Sequence, residues 1–271
     1  MEIKKNTAAV VLAGGSGSRM NSRTKKQYMQ IQGKPLIYYS LAAFEKSIIE
    51  KVVLVCSPGD EQYCKENIVD KYGLHKVVAI VPGGKERYNS VFEGLKALAL
   101  NQADSALSAS CKDAGLQEKP DNTGYVLIHD GARPFVTPQI IERAYETAVK
   151  YRACVVGMPS KDTVKIADEN GFVSATPKRS LVWNVQTPQA FEFSLVYNAY
   201  KKIIEMTGSC DNNVENGCSN TDNNKTLEIT DDAMVVEYTG GVPVKLVEGS
   251  YSNIKITTIE DLKGIEEYKF E

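Results

Sequence analysis

Strand-length apolar runs alternate with segments of helical periodicity over roughly the first 160 residues, and few folds accept that rhythm. Ala8-Ala9-Val10-Val11-Leu12 is β-rich, apolar and ended by glycines, as expected of a buried parallel strand. Residues 35–46 follow with apolar positions at helical spacing and Pro35 in the first turn. Lys51–Cys56 reads as a strand and 60–71 as a helix, then 76–81 as a strand and 86–100 as a helix. The pattern closes with a strand at 125–129, a helix at 138–151 and a strand at 153–158. The expected fold is α/β, with a mostly parallel twisted sheet flanked by helices. In such sheets ligands bind beyond the carboxyl ends of the strands, so the loops after Leu12, Val81 and His129 are the ones to examine.

Three stretches break the rhythm. Residues 101–123 and 208–226 are polar and rich in small residues, and read as surface insertions. Residues 160–186 instead alternate β-type side chains around Asp168-Glu169-Asn170-Gly171, a hairpin turn signal. They are expected to form a β-arm projecting from a single domain that spans 1–271.

Charge and cysteine usage narrow the function. Thirty-two Lys+Arg against 34 Asp+Glu leave no basic surplus for nucleic acid, although a local basic pocket is still open. No apolar run approaches the length of a membrane span, and the N-terminal run is too short for an export signal. The six cysteines form no C-x-x-C pair and are expected reduced, in a cytoplasmic protein. Only His75 and His129 are present, which weighs against a His-rich zinc site.

Four segments carry the chemistry. In Leu12-Ala13-Gly14-Gly15-Ser16-Gly17-Ser18-Arg19-Met20 the glycines let backbone N–H groups approach an anion, and Arg19, Arg23, Lys25 and Lys26 supply charge for a triphosphate. The spacing matches neither G-x-x-x-x-G-K-[ST] nor G-x-G-x-x-G. Gly83 and Gly84 again permit close approach, and Ser90, one turn into the next helix, has a hydroxyl suited to a base. In His129-Asp130-Gly131-Ala132-Arg133-Pro134, Asp130 suits Mg²⁺ or a substrate hydroxyl. Arg133 suits a phosphate or a bidentate lock on Asp130, whereas His129 is read as structural. Finally Thr187-Pro188-Gln189 closes the arm, Thr230 is expected to cap a helix, and Lys255 lies in a strand-like run where it needs an anionic partner.

L-A-G-G-x-G-x-R-M followed by K-Q-Y resembles the signature of the sugar- and polyol-phosphate nucleotidyltransferases, in their cytidylyltransferase branch. G-G-x-x-R-x-x-S, D-G-A-R-P and V-E-G-x-x-x-N-I-K follow in the family's order, with Lys85 where an acidic residue is common. The resemblance implies a Rossmann-like domain that transfers CMP from CTP to a polyol phosphate, nearest to the methylerythritol phosphate branch used in isoprenoid precursor synthesis. A ribitol 5-phosphate acceptor and a non-catalytic nucleotide-binding module stay open as alternatives. It further implies Ala13, Gly14, Gly15, Gly17, Gly83, Gly84 and Ser90 on the nucleotide, and Arg19, Lys26 and Lys255 stabilising charge. Asp130, Arg133, Thr163, Arg179 and Thr187 would bind the acceptor, with Mg²⁺ on the phosphates and Asp130 as its candidate ligand. Thr163 and Arg179 would act across a homodimer formed through the β-arm.

Overall fold

The computed structural model describes residues 6–14, 25–100, 123–211, 229–239 and 241–263. Residues 101–122 of the first insertion (101–123) and 212–226 of the second (208–226) lie outside these ranges, as do Gly15, Gly17 and Arg19. In chain order the elements are β1 (Thr7–Ala13), β2 (Gln30–Ile31), β3 (Lys34–Pro35), α1 (Leu36–Glu45), β4 (Lys51–Cys56) and α2 (Glu61–Cys64). A π-helical stretch, Lys65–Asp70, continues α2. Then come β5 (Val77–Pro82), α3 (Arg87–Ala99), β6 (Tyr125–Asp130), α4 (Pro138–Tyr151), β7 (Ala153–Pro159), β8 (Ile166–Ala167) and β9 (Val173–Ala175). The chain continues with β10 (Trp183–Glu192), α5 (Phe193–Asp211), α6 (Asp232–Tyr238), β11 (Lys245–Glu248) and α7 (Ile259–Lys263).

Seven strands form the main sheet in the order β11-β7-β10-β6-β1-β4-β5. All pairings are parallel except those of β10, which runs antiparallel to both β6 and β7. The period-2 alternation of β1 sends Ala9 and Val11 into a core shared with α1 and α4, and Ala8 and Val10 into a second core under α3 and α5. Both faces are therefore apolar, and polar side chains are left to the strand ends. Gly131 shows how tightly those ends are built: a Cβ there would run into Ile37 and the Leu12 carbonyl.

Four sequence expectations need correction. β10 and α5 were not legible as elements, because Pro188 interrupts the strand pattern and the ladder shifts register between Val185 and Gln189. Trp183–Val185 pair with β7, so the free-standing hairpin of the arm is β8–β9 alone. α5 extends to Asp211, taking in the first residues of the second polar stretch. Asp231, not Thr230, caps α6, since its carboxylate accepts from Met234 N at 2.9 Å.

Candidate active site

The carboxyl ends of β1, β5 and β6 lie along one edge, and the site is assembled there. Ala13 and Gly14 close β1, and the chain is described again from Lys25. The far end of this loop is tied back by side chains that the sequence reading passed over. Gln27, buried, donates to the Ala13 carbonyl at 2.6 Å. The Tyr28 hydroxyl donates to Asp60 Oδ2 at 3.0 Å, and Lys25 Nζ meets the same oxygen at 2.6 Å. Lys26 thus stands on a short 3-10 turn, Lys26–Tyr28, pinned on its far side by Gln27 and Tyr28. K-Q-Y is one unit: a cation followed by its two anchors.

The loop after β5 is held from within. Gly83 N donates to the Cys56 carbonyl at 2.7 Å and Gly84 N to Ser90 Oγ at 3.1 Å, while the Ser90 hydroxyl turns to the Glu86 carbonyl. A Cβ on Gly83 would stand 2.7 Å from Ser90 Oγ, so this turn needs glycine. Ser90 therefore shapes the loop, and its hydroxyl is engaged by the chain. Lys85 is exposed.

Asp130, at the end of β6, is the centre of the charged cluster. Lys255 Nζ lies 2.7 Å from Asp130 Oδ2, and Arg87 Nε donates to Oδ1 at 3.2 Å. Lys255 comes here because Ile256 N bonds to the Ala132 carbonyl at 2.8 Å and Ile256 is fully buried. The anionic partner expected for Lys255 is present, but its segment belongs to no strand, and the buried side chain is Ile256. Burial alone would raise the Asp130 carboxyl; the charges of Arg87 and Lys255 outweigh it and hold the group well below the usual carboxylate range.

Arg133 corrects another expectation. It forms no lock on Asp130: Nη1 donates to the Asn253 carbonyl at 2.8 Å and Nη2 to that of Val185 at 3.4 Å. Desolvation lowers its pKa, with Asp130 opposing. The guanidinium joined to Asp130 is Arg87, whose Nη1 and Nη2 bind Asp232 Oδ1 and Oδ2 at 2.7 and 2.8 Å. Neither Arg87 nor Asp232 had been singled out. Arg87 belongs to G-G-x-x-R-x-x-S and Asp232 stands two residues after Thr230, in segments that only the fold brings together.

Thr187 and His129 lie beneath the cluster. Thr187 Oγ1 accepts from Asp130 N at 3.1 Å and meets His129 Nδ1 at 3.0 Å, while His129 Nε2 lies 3.3 Å from the Arg133 carbonyl. The network is satisfied when the neutral ring donates from Nε2 and accepts at Nδ1. Burial pulls the His129 pKa down to about 3. His129 is structural, as expected, but as part of a buried network. Thr187, expected to touch the acceptor, spends its hydroxyl on the Asp130 backbone.

Thr163 and Arg179 are exposed on the arm, where Arg179 Nη1 donates to the Lys161 carbonyl at 3.4 Å. The single chain does not bring them to Asp130. Nor does Asp130 fit a metal: both oxygens face cations, and among the described residues no three His, Cys, Asp or Glu side chains gather to hold an ion. What the arrangement offers is a sheet edge that carries Lys255, Arg87 and Arg133 and, among the described residues, no free histidine beside them, which suits phosphates.

Comparison with known proteins agrees. The model of the family described as IspD, 2-C-methyl-D-erythritol 4-phosphate cytidylyltransferase, matches residues 7–107 and 105–269. A protein of that name from Clostridium kluyveri is 43% identical over 259 residues, covering 95% of this chain and 94% of its own. The crystal structure of 4-diphosphocytidyl-2C-methyl-D-erythritol synthase from Anaerococcus prevotii is similar with a TM-score of 0.72 at 31% identity, covering 97% of each chain. The Thermus thermophilus 2-C-methyl-D-erythritol 4-phosphate cytidylyltransferase structure gives a TM-score of 0.63 at 28% identity, covering 95% of this chain and 96% of that one.

Proposed function

The chain belongs to the 2-C-methyl-D-erythritol 4-phosphate cytidylyltransferase family, and from that premise we propose that it transfers the cytidylyl group of CTP to 2-C-methyl-D-erythritol 4-phosphate. A phosphate oxygen of the acceptor attacks the α-phosphorus of CTP; the bond from that phosphorus to the bridging oxygen breaks, and pyrophosphate leaves. The observation that carries this reading is a cluster of cations with no free histidine beside it among the described residues: His129 is buried, neutral and engaged at both ring nitrogens. A nucleophile already anionic at neutral pH needs no proton removed, so catalysis reduces to alignment and charge stabilisation.

In this reading Lys255 and Lys26, with Arg19 from the glycine loop, stabilise the charge that builds on the phosphates. Ala13, Gly14, Gly15 and Gly17 offer backbone to the triphosphate, and Gly83, Gly84 and Ser90 shape the base side. Asp130 orients the acceptor, supported from below by Thr187, and Arg133 faces the acceptor side. A divalent cation, where one takes part, would be held by the phosphates of the nucleotide and not by Asp130, which is committed to Arg87 and Lys255.

The arm extends the proposal to a homodimer with one catalytic domain per chain. Ile166, Phe172, Val173 and Leu181 are 50%, 72%, 60% and 76% exposed on it, apolar surface that supports a partner's contact. Thr163 and Arg179 would then serve the partner's acceptor site. No helix among the described residues is long and apolar enough to cross a membrane. Free, buried Cys56, Cys64 and Cys154 fit a reducing cytoplasm.

Pyrophosphate release from CTP tests the reaction, with 2-C-methyl-D-erythritol 4-phosphate and ribitol 5-phosphate offered separately. Release with the first alone is expected. Release with ribitol 5-phosphate alone would move the acceptor, and release with neither would leave a nucleotide-binding module.

A further inference from the structure

Asp130 and Lys255 do not stand alone. Asp130 divides its oxygens, Oδ2 to Lys255 and Oδ1 to Arg87. The rest of the Arg87 guanidinium is engaged on the opposite side, where Nη1 and Nη2 make a two-pronged contact with Asp232. Asp232 is fully buried at the start of α6, and the Tyr200 hydroxyl of α5 donates to it. The planar fork is therefore set from α5 and α6, and the N–H it directs at Asp130 is that of Nε. Arg87 is also the first residue of α3, three positions after Gly84, so it ties the loop beyond β5 to the end of β6.

We propose that Arg87, held by Asp232, is a positioning residue for the transfer reaction: it occupies the inner oxygen of Asp130 and so leaves Lys255 able to meet an incoming phosphate. The charge count supports this. Arg87 and Lys255 balance Asp130 and Asp232, and an ammonium with three donors gives one to Asp130 and keeps two for substrate. With Arg87 absent, Lys255 would be the one cation left against Asp130 and Asp232, and the net negative charge would draw it onto Asp130 and away from an anionic acceptor. Arg87 itself need not touch substrate.

The inference rests on the reading above, and steady-state kinetics of the full-length protein keep the two apart. Wild-type enzyme that fails to release pyrophosphate with any acceptor defeats the reading; a normal wild type beside unaltered variants defeats only the inference. For Arg87→Gln the acceptor KM is expected to rise, and kcat to fall, each by about tenfold or more, the scale of losing a charge-assisted contact. The KM for CTP should move by less than about threefold, because that site keeps its own loop. Arg87→Lys restores charge without the fork and should recover only part of the loss. If Arg87→Gln does not fold, Asp232→Asn carries the test: Arg87 keeps its charge but loses its clamp, and the same split is expected at about threefold. Equal rises in both KM values, or wild-type constants per folded enzyme in Arg87→Gln or Asp232→Asn, would overturn the positioning role.

Discussion

The cluster at the sheet edge and the β8–β9 arm handle their awkward side chains in opposite ways. At the edge Lys255, Asp130, Arg87 and Asp232 pair with one another within the chain, and Arg133 is taken up by backbone carbonyls. On the arm Phe172 and Leu181 stand 72% and 76% exposed. A two-stranded hairpin has little stability by itself and no second layer to cover its apolar side chains. One region is closed by contacts within the chain, whereas the other leaves its apolar side chains uncovered.

That contrast can be broken at several points, the cluster first. Lys26→Ala or Lys255→Ala should lower kcat by at least about a hundredfold while leaving the fold intact, the scale of one transition-state donor. Single-turnover measurements with saturating CTP would detect it, and near wild-type activity would remove that lysine from the mechanism. On the arm, Leu181→Asp together with Phe172→Asp should weaken self-association by about thirtyfold or more, as for loss of an interface hot spot. Mass measured against concentration reads this directly, and an unchanged profile would take the arm out of the interface.

Beneath the cluster, His129 gives a pH signature. Its folded-state pKa of about 3 lies below the unfolded value of about 6.5, so the unfolded chain takes up the proton first. Stability is therefore complete above about pH 6.5 and falls by up to about 1.4 kcal/mol per pH unit as the pH drops toward 3. Urea titrations at pH 7.0 and 5.5 should show a shallower loss for His129→Gln than for wild type; parallel losses would contradict the buried neutral ring. The smallest effect is expected just outside the cluster. Lys85→Ala should change the KM for CTP by less than about threefold, because an exposed charge is screened by solvent. A larger change would extend the site beyond the residues that hold it.

How much was legible in advance follows the range of the interactions. β1, β4, β6 and α4 rest on short periodic runs with clear ends, and a sequence window contains all the information they need. β10 was hidden because its partners, β6 and β7, come earlier in the chain and Pro188 disguises its pattern. Within the site, Asp130 and Lys255 could be picked out individually, one by its place after a strand and the other as a cation among isoleucines. Arg133 looked like the lock on Asp130 because it is three residues away. The lock is Arg87, 43 residues distant in sequence.

By itself, then, the sequence determined the alternating α/β layers, the glycine loops at the strand ends, the arm and the chemical character of the site, because each depends on local periodicity or residue type. Only the tertiary structure decided which cation faces which carboxylate. Arg87 and Asp232 lie 145 residues apart and meet because α3 and α6 pack against the same face of the sheet. No spacing rule encodes a contact made by layers closing over one another. The same closure leaves Thr187 and Ser90 holding loops, and gives Lys255 the anion its sequence context demanded.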